Sequence, residues 1–253
     1  ERLTYAIGEE GYVTATAASA YMLLGNKDRA IELCDIVDEK FPGNIQVRIL
    51  RADAMELEGD YLGAKKRFES IYGESNHPFV LEKLQEINRK LITLLKSGDT
   101  VDDKLELGWC YYQNEQNNEL MELMDSFEPA EEKDYAMYYN LRSRALLNAE
   151  RYTEAADCID KWRSALDKQV PQNEKDEADR RRRIVLSAFF AARCYRIMAD
   201  RNNEEALREK AFEKAQESTV CDERQVLFQL WLEKASLLKE LNRLDEAIKL
   251  CDD

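Results

Sequence analysis

Proline and glycine are scarce in this chain and histidine is nearly absent: 253 residues hold four prolines, nine glycines and one histidine. An all-β protein with many tight turns needs more of both turn formers, so the scarcity points to long helices joined by short connections. Long apolar runs are missing too. The longest, IVLSAFFAA at 184–192, is nine residues, less than half of the about 20 that cross a bilayer as a helix. No secretory signal is visible. Basic residues are in deficit, with 37 Lys and Arg against 51 Asp and Glu and a formal charge of −14. Nucleic acids and anionic membranes both attract a basic footprint, so neither is expected as a partner of this segment.

The groups that carry common chemistry are also thin. Six cysteines (Cys34, Cys110, Cys158, Cys194, Cys221 and Cys251) form no Cys-x-x-Cys unit, and most fall within helical apolar patterns. They read as reduced thiols used as small apolar residues, which implies a reducing compartment, the cytoplasm. His77 stands beside Pro78 in a loop. There is no phosphate-binding glycine loop, no Ser or Cys nucleophile with a plausible histidine, and no metal-ligand set. Asp102/Asp103 and Glu131/Glu132 read as helix starts, where carboxylates favour the helix dipole. No catalytic residue, cofactor site or metal site is expected.

What the chain does contain is 44% apolar and 35% charged residues, enough for a core beneath a well-solvated surface, and a recurrence. AYMLLGNKDRAIELCDIVDEKFP (20–42) lines up with AMELEGDYLGAKKRFESIYGESNHP (54–78). Gly25 and Gly59 are 34 residues apart, as are Ala18 and Ala52, Ala30 and Ala64, and Cys34 and Phe68. Each window predicts two amphipathic helices with a Gly-Asn or Gly-Asp turn between them. Glycine can take the left-handed conformation that ends a helix, and Asn26 or Asp60 can cap the next. Small residues sit where two backbones cross closely. All four prolines (Pro42, Pro78, Pro129 and Pro171) fall at unit boundaries.

A period of 34 with two helices per unit resembles the tetratricopeptide repeat family. LLNAERYTEAADCIDKW (146–162) and WLEKASLLKELNRLDEAIKLC (231–251) repeat the pattern, and LGWCYYQNEQNNELMELMDSFEP (107–129) is a degenerate copy. The resemblance implies an all-α fold, a right-handed α-solenoid of antiparallel helix hairpins with about five to six units. The expected parse is two regular repeats in 1–78, an irregular helix without an obvious partner and a degenerate repeat in 79–130, and a repeat in 131–171. A long-helix variant follows in 172–222 and a further repeat in 223–253. The chain reads as a piece of a longer protein. First helices are expected to line a concave groove, with Tyr12, Ser19, Gln46, Asp53, Asn140, Arg144 and Lys239 exposed there to hold a partner protein or peptide. The carboxylate clamp of some family members is absent from the first two repeats: Ala15, Ser19 and Leu50 stand at its places.

Two other features bear on partners. The run RRRR at 180–183 follows NEKDEAD at 173–179. It reads as a solvated surface paired one turn along, Asp176 or Asp179 with the arginines, or as an anchor in which Arg181 and Arg182 hold an acidic segment. The aromatic clusters WCYY (109–112), YAMYY (135–139) and FF (189–190) read as packing, with Tyr112 and Tyr138 as the exposed members. The leading function is a non-catalytic interaction scaffold within a larger protein. The alternative is a peptide-sensing region of a bacterial regulator that moves an attached effector domain. An RNA-binding helical repeat is opposed by the acidic balance.

Overall fold

Gly25 and Gly59 occupy the left-handed region, at φ +74° and +83°, where an L side chain is strained. Each closes a helix: the Asn26 N–H donates to the Tyr21 carbonyl at 2.9 Å and the Asp60 N–H to the Met55 carbonyl at 3.0 Å. The same two residues open the next helix. The Asn26 side chain accepts from the Arg29 N–H at 3.3 Å, and that of Asp60 from the Gly63 N–H at 2.9 Å. One dipeptide therefore ends one helix and starts another.

The computed structural model describes residues 2–216 and 224–252, and among them it holds thirteen α-helices and no strand. The chain divides into two units at Gly98–Asp99. The first contains α1 (Arg2–Leu23), α2 (Lys27–Lys40), α3 (Ile45–Leu57), α4 (Tyr61–Ser75) and α5 (Pro78–Leu95). The second contains α6 (Val101–Gln113), α7 (Asn117–Ser126), α8 (Glu132–Asn148), α9 (Tyr152–Lys168), α10 (Glu174–Asn202), α11 (Glu205–Gln216), α12 (Arg224–Glu240) and α13 (Leu244–Asp252). Successive helices pack as antiparallel pairs: α1 with α2, α3 with α4, α6 with α7, α8 with α9, α10 with α11 and α12 with α13. These are tetratricopeptide-like helical hairpins.

The turn geometry of the first two hairpins recurs in the other four without glycine. Gln116, Arg151, Glu204 and Arg243 donate to Tyr111, Leu146, Ala199 and Leu238 across the same five-residue span, at 2.8–3.1 Å. The residue before each donor is left-handed: Glu115 at φ 58°, Glu150 at 57°, Asn203 at 55° and Asn242 at 57°. Asn tolerates this region, whereas Glu is strained in it. Glu115→Gly is therefore expected to stabilise the chain by up to about 1 kcal/mol. A rise in the urea midpoint with an unchanged slope would show it; no shift would mean that glycine's entropy in the unfolded chain offsets the relief.

In the first unit the core is built from small residues at the hairpin crossings. Ala15, Ala18, Ala30, Cys34, Val37, Val47 and Leu50 form one buried cluster, and Ala52, Ala64, Phe68 and Ile71 are buried as well. Two of the three clamp positions, Ala15 and Leu50, thus lie inside the core, while Ser19 is part-exposed. α5, expected to lack a partner, packs on α4 and is tied to α3 by ion pairs from Lys83 to Asp53 at 2.9 Å and from Lys90 to Glu56. Pro78 opens α5 rather than ending α4. It sits at the first helical position, where its missing N–H leaves no bond unmade, and the His77 ring accepts from the Phe79 N–H at 3.2 Å as the cap.

In the second unit α8 is covered on two sides, by α6 and α7 on one and by α9 on the other. Trp162, Leu166 and Ile159 of α9 meet this core together with Tyr138, Leu141 and Leu146 of α8 and Leu120 and Met124 of α7, all buried. Gly108 permits the close approach of α6. A Cβ there would lie 3.1 Å from Leu141 Cδ1 and 3.2 Å from Met124 Cε. Tyr138, expected at the surface, is fully buried. On a helix packed from both sides, adjacent positions face different neighbours without either facing water. Its hydroxyl donates to the Met124 carbonyl at 3.1 Å and accepts from Arg142 at 2.6 Å.

Cys34, Cys110, Cys158 and Cys194 are buried and form no disulfide. Burial pushes the Cys34 thiol up to about 11 and the Cys194 thiol up to about 12, so both stay protonated and unreactive near neutrality. Cys221 and the side chain of Cys251 lie outside the described residues. No helix among the described residues is long and apolar enough to cross a membrane.

Candidate functional site

The residues expected to face a partner fall into separate places. In the first unit Tyr12 is exposed on α1. Ser19, also on α1, donates to the Ala15 carbonyl at 3.1 Å and receives Gln46 of α3 at 3.5 Å. Asp53 is largely covered and engaged by Lys83. Burial raises its carboxyl above the ordinary range even with the lysine beside it. Asp53 thus ties α3 to α5 and is not a free contact.

In the second unit Lys239 is exposed on α12. Arg181 and Arg182 lie on the first turns of α10 and pair along the helix, Arg181 with Glu177 at 3.2 Å and Arg182 with Asp179 at 2.9 Å. Asp179 also holds Arg183 at 2.6 Å, while Asn173 caps the helix start by accepting from the Asp176 N–H at 2.9 Å and donates its own Nδ2 to Asp176 Oδ2 at 2.9 Å. The local pairing expected of the arginine run is present.

Asn140 and Arg144 are brought together, but not as two exposed contacts. Asn140 is 8% exposed, because α8 turns that side inward. Its Oδ1 accepts from Arg144 Nε at 2.9 Å, so it positions the arginine. Arg144 Nη1 donates to the Tyr112 hydroxyl of α6 at 2.7 Å. The guanidinium stands 4.8 Å from the ring centre of Tyr112, 4.8 Å from that of Phe190 on α10 and 5.6 Å from that of Trp109. Each such contact is worth about 0.5–1 kcal/mol at an open site. The arginine is held by two hydrogen bonds and three rings.

It lines a recess of about 200 Å³, walled by Tyr112, Leu147, Tyr152, Phe190 and Ile197, with Asn148 and Arg193 at its edge. Three first helices, α6, α8 and α10, supply all of these side chains but Tyr152, which opens the second helix α9. The sequence marks Trp109 and Phe190 only as packing and Tyr152 only as part of the repeat pattern of 146–162, and it gives Arg193 no signal. What could have found them is the arginine on α8 facing aromatic pairs on both neighbouring first helices. A larger cavity of about 610 Å³ lies beside the α9–α10 connection and is lined by Tyr135, Tyr139, Lys161, Lys168, Val170 and Arg180 among others. Of its lysines, Lys168 pairs with Glu132 of the lining, Lys133 with Glu131 beside it, and Lys161 stands over the Tyr139 ring. Among the described residues no cluster of three or more His, Cys, Asp or Glu could hold a metal ion.

The class of protein defined here is a helical-hairpin repeat of tetratricopeptide-like units with a side-chain recess on its first helices. No protein-family model and no curated protein matches the sequence. Among solved structures, the chain is similar to one in a complex described as Naa15/Naa10 bound to HypK-THB. Identity is 11%, the match covers 95% of this chain and 36% of that one, and the TM-score is 0.42. It is also similar to two structures of TPR-like repeats from Podosopora anserina, nearly identical repeats of a protein assigned as a kinesin light chain. Both are 18% identical; one match covers 80% of this chain and 93% of that one at a TM-score of 0.28, the other 82% and 97% at 0.27. This chain thus spans about a third of the Naa15/Naa10 chain it matches. At identities and TM-scores this low, no function transfers from any of them.

Proposed function

We propose that the chain is a non-catalytic protein-interaction scaffold, a module of a larger protein, that holds a partner protein or peptide along the first helices of its hairpins. The observation that carries this reading is the recess between α6, α8 and α10, where a pre-positioned arginine, part-exposed aromatic rings and a second arginine share one face. Extended peptides bind such faces through polar groups that hold their amides and apolar pockets that select their side chains. Tyr12 on α1 and Lys239 on α12 offer exposed contacts on other first helices. The reading requires no cofactor and no metal. It places the chain in the cytoplasm, with the burial of four thiols in support.

The test is quantitative capture from source-cell lysate. The native chain is compared with Tyr12→Glu/Lys239→Glu and with Lys66→Glu, an exposed change on the second helix α4. The reading expects one set of polypeptides retained by the native chain and Lys66→Glu and depleted from the first-helix variant. Equal retention by all three would overturn it.

A further inference from the structure

We propose that the recess between α6, α8 and α10 is an anchor for a glutamate or aspartate side chain of an extended partner peptide. This rests on the interaction reading above and specifies its chemistry. The strongest ground is charge. In a chain of net charge −14, this recess carries two arginines that pair with no carboxylate among the described residues. Neighbouring arginines do find one: Arg142 pairs with Asp125, Arg151 with Glu154, Arg196 with Glu233 and Arg201 with Glu150. Glu233 feels the charge of Arg193 but lies beyond ion-pair reach of it.

The second ground is preorganisation. Asn140 and Tyr112 fix Nε and Nη1 of Arg144, and the three rings fix the plane of its guanidinium, before any ligand arrives. Nη2 makes no hydrogen bond among the described residues and keeps its donors for an incoming group. An arginine already ordered loses little rotamer freedom when it binds. The third ground is size. About 200 Å³ is below the roughly 300–1,000 Å³ of pockets that take small-molecule ligands, but it admits one side chain. A planar carboxylate on an apolar stem matches a slot with aromatic walls and arginine donors at its edge.

The experiment uses the whole chain with labelled arginine side chains. The probes are three pools of capped decapeptides with random flanks and a fixed central Glu, Gln or phosphoserine. The Glu pool is expected to shift the Arg144 and Arg193 side-chain resonances and to bind at least about tenfold more tightly than the Gln pool, as for a hydrogen bond to a charged group. R144Q and R193Q should each abolish that preference. Arg193 is exposed and bonded to nothing described, so R193Q leaves the fold intact where R144Q could disturb packing. Glu and Gln pools bound equally at this face would overturn the acidic anchor and leave the interaction reading standing. A phosphoserine pool bound above the Glu pool would overturn it in favour of a phosphate site. No pool bound at this face would overturn both.

Discussion

Replacing Trp162 by alanine is expected to lower the unfolding free energy by about 3–5 kcal/mol, the range for removing a large buried aromatic side chain. Trp162 is the largest fully buried side chain described, on α9 against α8. Its neighbours cannot collapse into the space, because α8 is also held from the α6–α7 side. Trp162→Phe should cost much less. The indole N–H has no acceptor within hydrogen-bonding distance among the described residues, so its removal relieves an unmet donor while most of the ring volume stays. Urea unfolding followed by helical circular dichroism separates the two variants. Equal losses would mean that the indole N–H is satisfied and that the fit of the whole indole matters.

Replacing Arg196 by leucine is the second large effect, about 3 kcal/mol at neutral pH. That is the lower end for stranding a buried charge, since Arg196 itself is 27% exposed. Arg196 of α10 pairs with Glu233 of α12 at 2.7 Å, and the glutamate side chain is only 8% exposed. Burial raises the Glu233 carboxyl above its ordinary value of 4.5, while Arg196 and Arg193 pull it back. A carboxyl with a raised folded-state value contributes most when protonated, below about 4.5, and loses that contribution as pH rises through the folded value. Without Arg196 the folded value moves higher still. The leucine variant should therefore lose most stability at pH 7 and little near pH 4, measured against native chain at the same pH. Adding Glu233→Gln should recover most of the loss at pH 7. A loss independent of pH, or no recovery, would mean that Arg196 acts by packing its stem.

The first two hairpins were legible because glycine and the residue after it do two jobs at fixed spacing. Gly25–Asn26 and Gly59–Asp60 write the turn into the sequence. The other four turns use the same backbone with Glu or Asn in the left-handed place, and a strained glutamate leaves no compositional mark. The recess was legible in part. Arg144 was singled out from its first-helix position, but Asn140 was misplaced because α8 is packed from both sides. Its partners could not be found by a constant period. Tyr112 precedes Arg144 by 32 residues and Phe190 follows it by 46, whereas the first turns repeat every 34. The difference comes mostly from where the helices begin, α8 at Glu132 and α10 at Glu174, and Phe190 also lies about one turn deeper in its helix than Arg144 does.

The most direct test of the account is where a partner touches the chain. A photo-crosslinking phenylalanine analogue would be placed at Tyr12, Tyr112 and Lys239 on first helices, and at Lys66 and Asp157 on the second helices α4 and α9, then irradiated in source-cell lysate. The account predicts crosslinks to the same polypeptides from the first-helix positions and none from Lys66 or Asp157. Crosslinks concentrated at Lys66 and Asp157, or spread evenly over all five positions, would contradict it.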